Sequence, residues 1–333
     1  MIRVFITHNP EDRDAYYGRS LAALHDLAEV VLNPTDRDLA PAELIDAAEG
    51  CEVIVSHRST PVSAEVLGAL PDLVAVVRCA VDIRDIDVEA ASEAGVLVAH
   101  ADKSFIASTA ELALGLMLDV ARNISESTLD YRGGRLPPQR TGRQLRGRTA
   151  GIIGYGSIGT YLADLLVAIG MRVLVHDPFV QPESSSDAII PVGLDRLLAE
   201  SDFVLPLAPA SEATADLVDE AALAAMKPDA VLVNVSRGEL VDESAVARAL
   251  DAGTLGGLAM DVGRAADQRP STGLAGRPGV VATPHLGGLT SANADAQAAS
   301  SVEQVAAIVA HMEPPRSVNF ESADRLRRYW ATQ

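Results

Sequence analysis

Over the first hundred residues, short apolar and β-branched runs recur at regular intervals, "RVFIT", "AEVVL", "EVIVS", "LVAVVR" and "VLVAH", and the gaps hold Ala/Leu-rich stretches such as "SLAALHDLA" and "PAELIDAAE". Strands alternating with helical segments are the pattern of a parallel sheet with crossover helices. It predicts five strands and four helices, enough for a compact unit. "SFIASTAELALGLMLDVARN" then predicts a helix of about five turns, and "YRGGRLPPQRTGRQLRGR" a Gly/Pro/Arg loop. A second alternating series starts at "TAGIIGYGSIG" and runs through "MRVLVHD", "DFVLPLA", "AVLVNVS", "GGLAMDV" and "VVATP", the six strands that a full dinucleotide fold requires. After "TPHLGG" a long helix, "NADAQAASSVEQVAAIVAHM", leads into the tail "PPRSVNF". The fold class is α/β in two domains.

Length agrees, since 333 residues suit two domains of roughly 150 each. Charge narrows the partners. Against 46 acidic residues stand 27 basic ones, a net charge of −19, which repels phosphate backbones and anionic lipid, so neither nucleic acid nor membrane is expected as a partner. Cys51 and Cys79 have no Cys or His at metal spacing, and reduced thiols with no metal site are the expectation. The start "MIRVFITHNP" enters a strand at once without the succession of a signal peptide, and the apolar run "ELALGLMLDVA" falls short of the ~18 residues of a membrane span. A cytoplasmic protein is expected.

"GIIGYGSIG" places Gly154, Gly156 and Gly159 as G-x-G-x-x-G between an apolar strand and a helix. The first glycine permits a tight turn, the second lets backbone amides approach a pyrophosphate, and the third lets the helix pack on the strand. The helix start adds free N–H groups and a positive dipole end. At the end of the next strand, Asp177 stands where a carboxylate grips ribose hydroxyls. It repels a 2′-phosphate, and "PFVQPESSS" after it offers no Arg to receive one, so the expected cofactor is NAD.

Three stretches together carry a resemblance. "NVSRGELVDESAV" from Asn234, "ATPHLGG" and "TAGIIGYGSIG" resemble the N-x-x-R-G, T-P-H-x-G-G and cofactor-loop motifs of the D-isomer-specific 2-hydroxyacid dehydrogenases, in that family's order and spacing, over about residues 50 to 320. The resemblance implies hydride transfer between nicotinamide and C2 of a 2-hydroxy or 2-keto acid. It implies that Arg237 binds the substrate and His285 is its acid/base. A guanidinium clamps carboxylate and carbonyl oxygens in a planar fork, and an imidazole titrating near neutrality passes the hydroxyl proton. It also implies that Ser157 and Ile158 contact the pyrophosphate, that Asp261 lies near the nicotinamide amide, and that Pro209, Val235, Ser236, Arg237, His285, Gly287 and Gly288 line the cofactor.

The chain also departs from the family pattern. Where relatives place a Glu five residues after the strand Asp, to hold the catalytic His, this chain has Ala266. Asp267, one residue on, is the candidate to take its place, or else a solvated loop acid. In the substrate loop, the family's G-x-G-x-D-N-x-D reads "AVDIRDID", so the contacts expected of Ala80, Val81 and Asp82 come with an added Asp82 and with Arg84; "VAHAD" brings His100 and Asp102. Arg58 is a candidate for a second anionic or polar group on the substrate, or a solvated Arg. Arg264 and Arg269 have no assigned role, and Trp330 is either tail packing against a neighbouring domain or subunit, or a lid.

The reading is therefore a flavodoxin-like substrate domain, residues 1–100 and 288–333, and a Rossmann NAD-binding domain, residues 101–287, with a cleft between them and a homodimer by family resemblance. Two alternatives stay open: an NAD(H)-sensing protein like the corepressors of this fold, and a dehydrogenase of another substrate such as formate or phosphite.

Overall fold

The computed structural model describes residues 1–180, 188–265 and 267–333, with no account of the side chains of residues 15, 16 and 19. The chain folds into two compact units, Met1–Ser104 with Ser291–Gln333, and Phe105–Thr290.

The first unit holds the five expected strands: β1 (Arg3–Ile6), β2 (Glu29–Leu32), β3 (Val53–Ser56), β4 (Ala75–Arg78) and β5 (Leu97–His100). They form one parallel sheet in the order β2-β1-β3-β4-β5, the doubly wound order whose chain direction switches between β1 and β3. Both faces are covered, as a parallel sheet requires. Along β3, Val53 and Val55 point into one apolar cluster and Ile54 into another, the period of two that a strand imposes. Helix Val88–Ala94 shows how sequence sets an element's limits: Asp87 caps its start by accepting the Ala90 N–H at 2.9 Å, and Gly95 ends it at φ +74°.

The tail completes this unit. Helix Ser291–Val309 and helix Asp324–Thr332 bury Ala298, Val305, Ile308 and Leu326 in the cluster that covers β1, β3 and β4. Trp330 packs there too and donates its indole N–H to the Ile308 carbonyl at 2.8 Å. It thus seats the tail on its own unit.

Among the described residues the second unit has seven parallel strands: β6 (Thr149–Ile153), β7 (Arg172–His176), β8 (Ile189–Pro191), β9 (Phe203–Pro206), β10 (Val231–Asn234), β11 (Gly257–Met260) and β12 (Val280–Ala282), in the order β12-β11-β10-β9-β6-β7-β8. The order reverses between β6 and β9, the crevice where such sheets bind ligands beyond their carboxyl ends. One strand more is present than expected. β8 carries too little pattern to stand out in the sequence, being three residues long, ending in Pro191 and lying at the sheet edge, where proline is tolerated. Helix Ile106–Arg122 packs Ala110, Ala113 and Met117 on one face of this sheet. Among the described residues no helix is long and apolar enough to cross a membrane.

Candidate active site

The glycine loop follows β6. Gly154 has φ +103°, and a Cβ there would lie 2.7 Å from the Ala208 backbone N, so both conformation and space exclude a side chain. A Cβ on Gly159 would meet the Gly154 carbonyl oxygen at 2.4 Å, because helix Ser157–Ala168 packs onto its own entry loop. Gly156 differs: its Cβ would meet nothing within 4 Å. Packing does not demand this glycine, and the open space beside it, at the exposed start of a helix, is what a pyrophosphate needs. Ser157 is exposed and Ile158 half-buried at that helix start.

Asp177 follows β7, and its carboxylate bridges back to the loop, accepting the N–H groups of Tyr155 at 2.7 Å, Phe179 at 2.8 Å and Val180 at 2.9 Å. Partial burial disfavours its charge, but these hydrogen bonds outweigh that and hold the carboxyl below its ordinary range. It is ionised near neutrality, as a ribose-binding acid must be. Residues 181–187 of the stretch that lacks an Arg lie outside the described residues. Pro209 is exposed beyond β9, and the loop after β10 is tied to that segment by Ser236 Oγ, which donates to the Ala208 carbonyl at 3.2 Å. Val235 is buried in the core beneath.

Arg237 stands on the loop after β10, and the letters of its motif have physical roles. Asn234 is buried and folds the loop around itself, donating Nδ2–H to the Arg237 carbonyl at 2.8 Å and accepting the Ser236 N–H at 3.1 Å. Gly238 presses on the next loop, since a Cβ would lie 2.2 Å from the Gly263 carbonyl carbon. The Arg237 side chain is half-buried and donates Nη1–H to the Ser236 carbonyl at 2.8 Å.

His285 lies beyond β12 with φ +62°, an uncommon conformation for a non-glycine residue. What imposes it is Asp261. That carboxylate, with no solvent exposure, accepts Thr283 Oγ1–H at 2.6 Å, Leu286 N–H at 2.7 Å and Gly287 N–H at 2.8 Å, while the His285 N–H donates to the Asp261 carbonyl at 2.8 Å. Gly287 packs tightly here, since a Cβ would sit 3.2 Å from both Asp261 Oδ2 and Thr109 Oγ1 and its neighbours would have to yield by a few tenths of an ångström; half-buried Gly288 follows. The Asp261 N–H in turn donates to the Asn234 carbonyl at 2.9 Å. The loops bearing Arg237 and His285 thus share one frame, with Asp261 at its centre. The family resemblance pointed Asp261 at the nicotinamide; the structure adds that its carboxylate builds the histidine loop. Asn234 and Thr283 carry this frame as well, and the only sign of them in sequence was their place as motif letters.

The loop after β11 separates its charges. Arg264, left without a role by the sequence, pins this loop to the segment that follows Arg237: Nε–H donates to the Val241 carbonyl at 3.1 Å, Nη2–H to the Glu239 carbonyl at 3.1 Å, and Nη2 also pairs with Asp216. Asp267 is exposed and accepts the Arg269 N–H at 3.0 Å, with Arg269 Nε 3.5 Å from its other oxygen. The described contacts of Asp267 and Arg269 are thus with each other. Ala266 lies outside the described residues.

In the first unit, exposed Arg58 follows β3, and Ala80, Val81 and Asp82 follow β4. The two unexpected charges of that loop answer each other, Arg84 Nε–H and Nη2–H bonding Asp82 Oδ1 at 3.0 Å and Oδ2 at 2.8 Å. His100 shares its Nδ1 proton with the Ala101 carbonyl at 2.8 Å.

Residues 114–287 match the family model described as D-isomer specific 2-hydroxyacid dehydrogenase, NAD binding domain. D-3-phosphoglycerate dehydrogenase of Mycobacterium tuberculosis is 36% identical over 303 residues, 90% of this chain and 56% of the relative, so the chain spans just over half the length of that protein. Hydroxypyruvate reductase of Thermotoga maritima is 33% identical over 280 residues, 82% of this chain and 89% of its own. A crystal structure of a Thermus thermophilus protein superposes with a TM-score of 0.86 at 31% identity, covering 95% of this chain and all of the other. With the glycine loop, the arginine loop and the histidine loop each built as their motifs require, and with matches that run across both units, the chain belongs to the D-isomer-specific 2-hydroxyacid dehydrogenase family.

Proposed function

We propose that the protein is an NAD-dependent oxidoreductase that interconverts a D-2-hydroxy acid and its 2-keto acid. The observation that carries this reading is the shared frame of Arg237 and His285, joined through Asn234 and Asp261 beyond strands β10, β11 and β12. Bound NADH supplies the hydride that reduces C2. Arg237 holds the substrate carboxylate and the C2 carbonyl oxygen, drawing electron density toward that oxygen. Imidazolium His285 gives its proton to the same oxygen as C2 is reduced, so the keto acid leaves as the hydroxy acid; in oxidation neutral His285 takes that proton back. Asp177 selects NAD by opposing a 2′-phosphate. Gly154, Gly156, Ser157, Ile158 and Gly159 receive the pyrophosphate, with Pro209, Val235, Ser236, Gly287 and Gly288 beside the remainder. From the first unit, Arg58, Ala80, Val81 and Asp82 contact the substrate.

The two buried free cysteines suit a reducing cytoplasm. The exposed apolar side chains of Ile124, Leu129 and Tyr131 on helix Ile124–Arg132 suit a homodimer interface. The test is NADH oxidation against a panel of 2-keto acids that includes glyoxylate and hydroxypyruvate, with H285N in parallel. The expected result is turnover of at least one acid and a loss of roughly 10²–10⁴-fold in the variant. Tight NADH binding without turnover of any acid points to an NAD(H) sensor instead.

A further inference from the structure

Arg78 is the largest wholly buried side chain among the described residues, and it sits at the last position of β4, where the sheet delivers its loops. Its guanidinium reaches in three directions. Nη1–H donates to the His57 carbonyl at 2.6 Å, Nη2–H to the Thr60 carbonyl at 3.0 Å, and the fork closes on Asp85, with Nη2 2.8 Å from Oδ1 and Nη1 3.4 Å from Oδ2. The two carbonyls bracket Arg58 and Ser59, so one side chain defines both ends of the turn that presents Arg58. The contact with Asp85, seven residues on, clips the base of the loop that carries Ala80, Val81 and Asp82. Backbone bonds run alongside: Val62 N–H donates to the Asp85 carbonyl and Asp87 N–H to the Val62 carbonyl, each at 3.0 Å.

Stability alone does not account for this group. Burial opposes the charges of both partners, lowering the pKa of Arg78 and raising that of Asp85, and Arg78 Nε is buried without a hydrogen-bond partner among the described residues. An apolar side chain of similar length would fill the strand end without that desolvation. What it would not do is join two loops through a planar fork of fixed geometry.

We propose that Arg78 is a positioning residue for the substrate: with Asp85 it locks the loop after β3 and the loop after β4 into one arrangement, so that Arg58 and Ala80–Asp82 are offered together. This rests on the assignment of those loops to substrate binding. In steady-state kinetics of keto-acid reduction, R78M and R78K should raise KM for the keto acid about tenfold or more, and D85N, which keeps one acceptor oxygen, about threefold, while kcat and the NADH dissociation constant stay within about twofold. A KM within about twofold of wild type in folded R78K and D85N overturns the proposal, as does an equal loss in KM, kcat and NADH affinity, which marks general damage. Should R78M not fold, R78K and D85N decide.

Amide hydrogen exchange gives a readout that needs no turnover. D85N should speed exchange in residues 57–62 and 79–87 together, and faster exchange in 79–87 alone overturns the clamp. A wild-type protein without turnover counts against the proposed function, while the exchange result still judges Arg78.

Discussion

Replacing Asp261 by Asn tests whether one buried carboxylate builds the histidine loop. The wild-type group accepts three hydrogen bonds at 2.6–2.8 Å with no exposure to water. An Asn can keep Oδ1 as acceptor for Thr283 and Leu286, but its NH₂ then faces the Gly287 N–H, two donors brought together in a tightly packed spot. A hydrogen bond to a charged group contributes about 1.5–3 kcal/mol and a neutral one about 1, so one lost and two weakened amount to roughly 3–5 kcal/mol. For a unit of this size each kcal/mol moves Tm by about 2–4 °C, so the apo protein should melt on the order of 10 °C lower. His285, held between Thr283 and Leu286, would lose its placement, and a displacement of about 1 Å lowers turnover on the order of 10²-fold. The assay is thermal unfolding of the cofactor-free protein beside NADH-dependent reduction. An apo Tm within about 2 °C of wild type would refute the reasoning, since a residue that serves only the nicotinamide has no effect before cofactor binds.

The glycine loop yields a contrasting pair: G154A should unfold or melt far below wild type, because φ +103° and the Ala208 backbone both forbid the methyl, whereas G156A should keep its Tm and weaken NADH binding, read by fluorescence titration. For Asp177, whose folded-state pKa is depressed, the stabilisation is present above the unfolded value near 3.9 and disappears as pH falls through the lower folded value. Urea midpoints between pH 6 and pH 3 should therefore fall more in wild type than in D177N, and D177N should also narrow the preference for NADH over NADPH. D267N is expected to leave the pH–rate profile in place, because the Asp267 carboxylate is exposed and engaged by Arg269; a shifted profile would restore Asp267 as the acid that orients His285.

Much of the fold was legible because its signals are local. Apolar runs of four or five residues between Ala/Leu-rich stretches mark buried parallel strands, and every strand of that kind was found. β8 was not, since three residues ending in Pro191 carry too little pattern. The site was legible where a motif fixes a backbone shape: Gly154 and Gly159 because side chains do not fit, Gly238 because the Gly263 backbone lies against it. Charges were harder. Asp267, Arg264 and Arg269 fall within six residues of one another and look alike as letters. Only their partners separate them, and those partners include Val241 and Asp216, 23 and 48 residues away.

From sequence alone came the α/β class, the two alternating series and the NAD-binding loop with Asp177, while the family resemblance proposed Arg237 and His285 as the reacting pair. The first three rest on near neighbours in the chain or on spacing within one strand–loop–helix unit, which short-range sterics and periodicity determine. The tertiary structure decided that Asp261 forms the His285 loop, that Arg264 braces the Arg237 segment, that Trp330 seats the tail, and that Arg78 holds two loops as one. In all four the side chain acts through hydrogen bonds or packing with distant segments, and which distant segments meet is set by strand order and by the return of the chain to its first unit, not by any local run of residues.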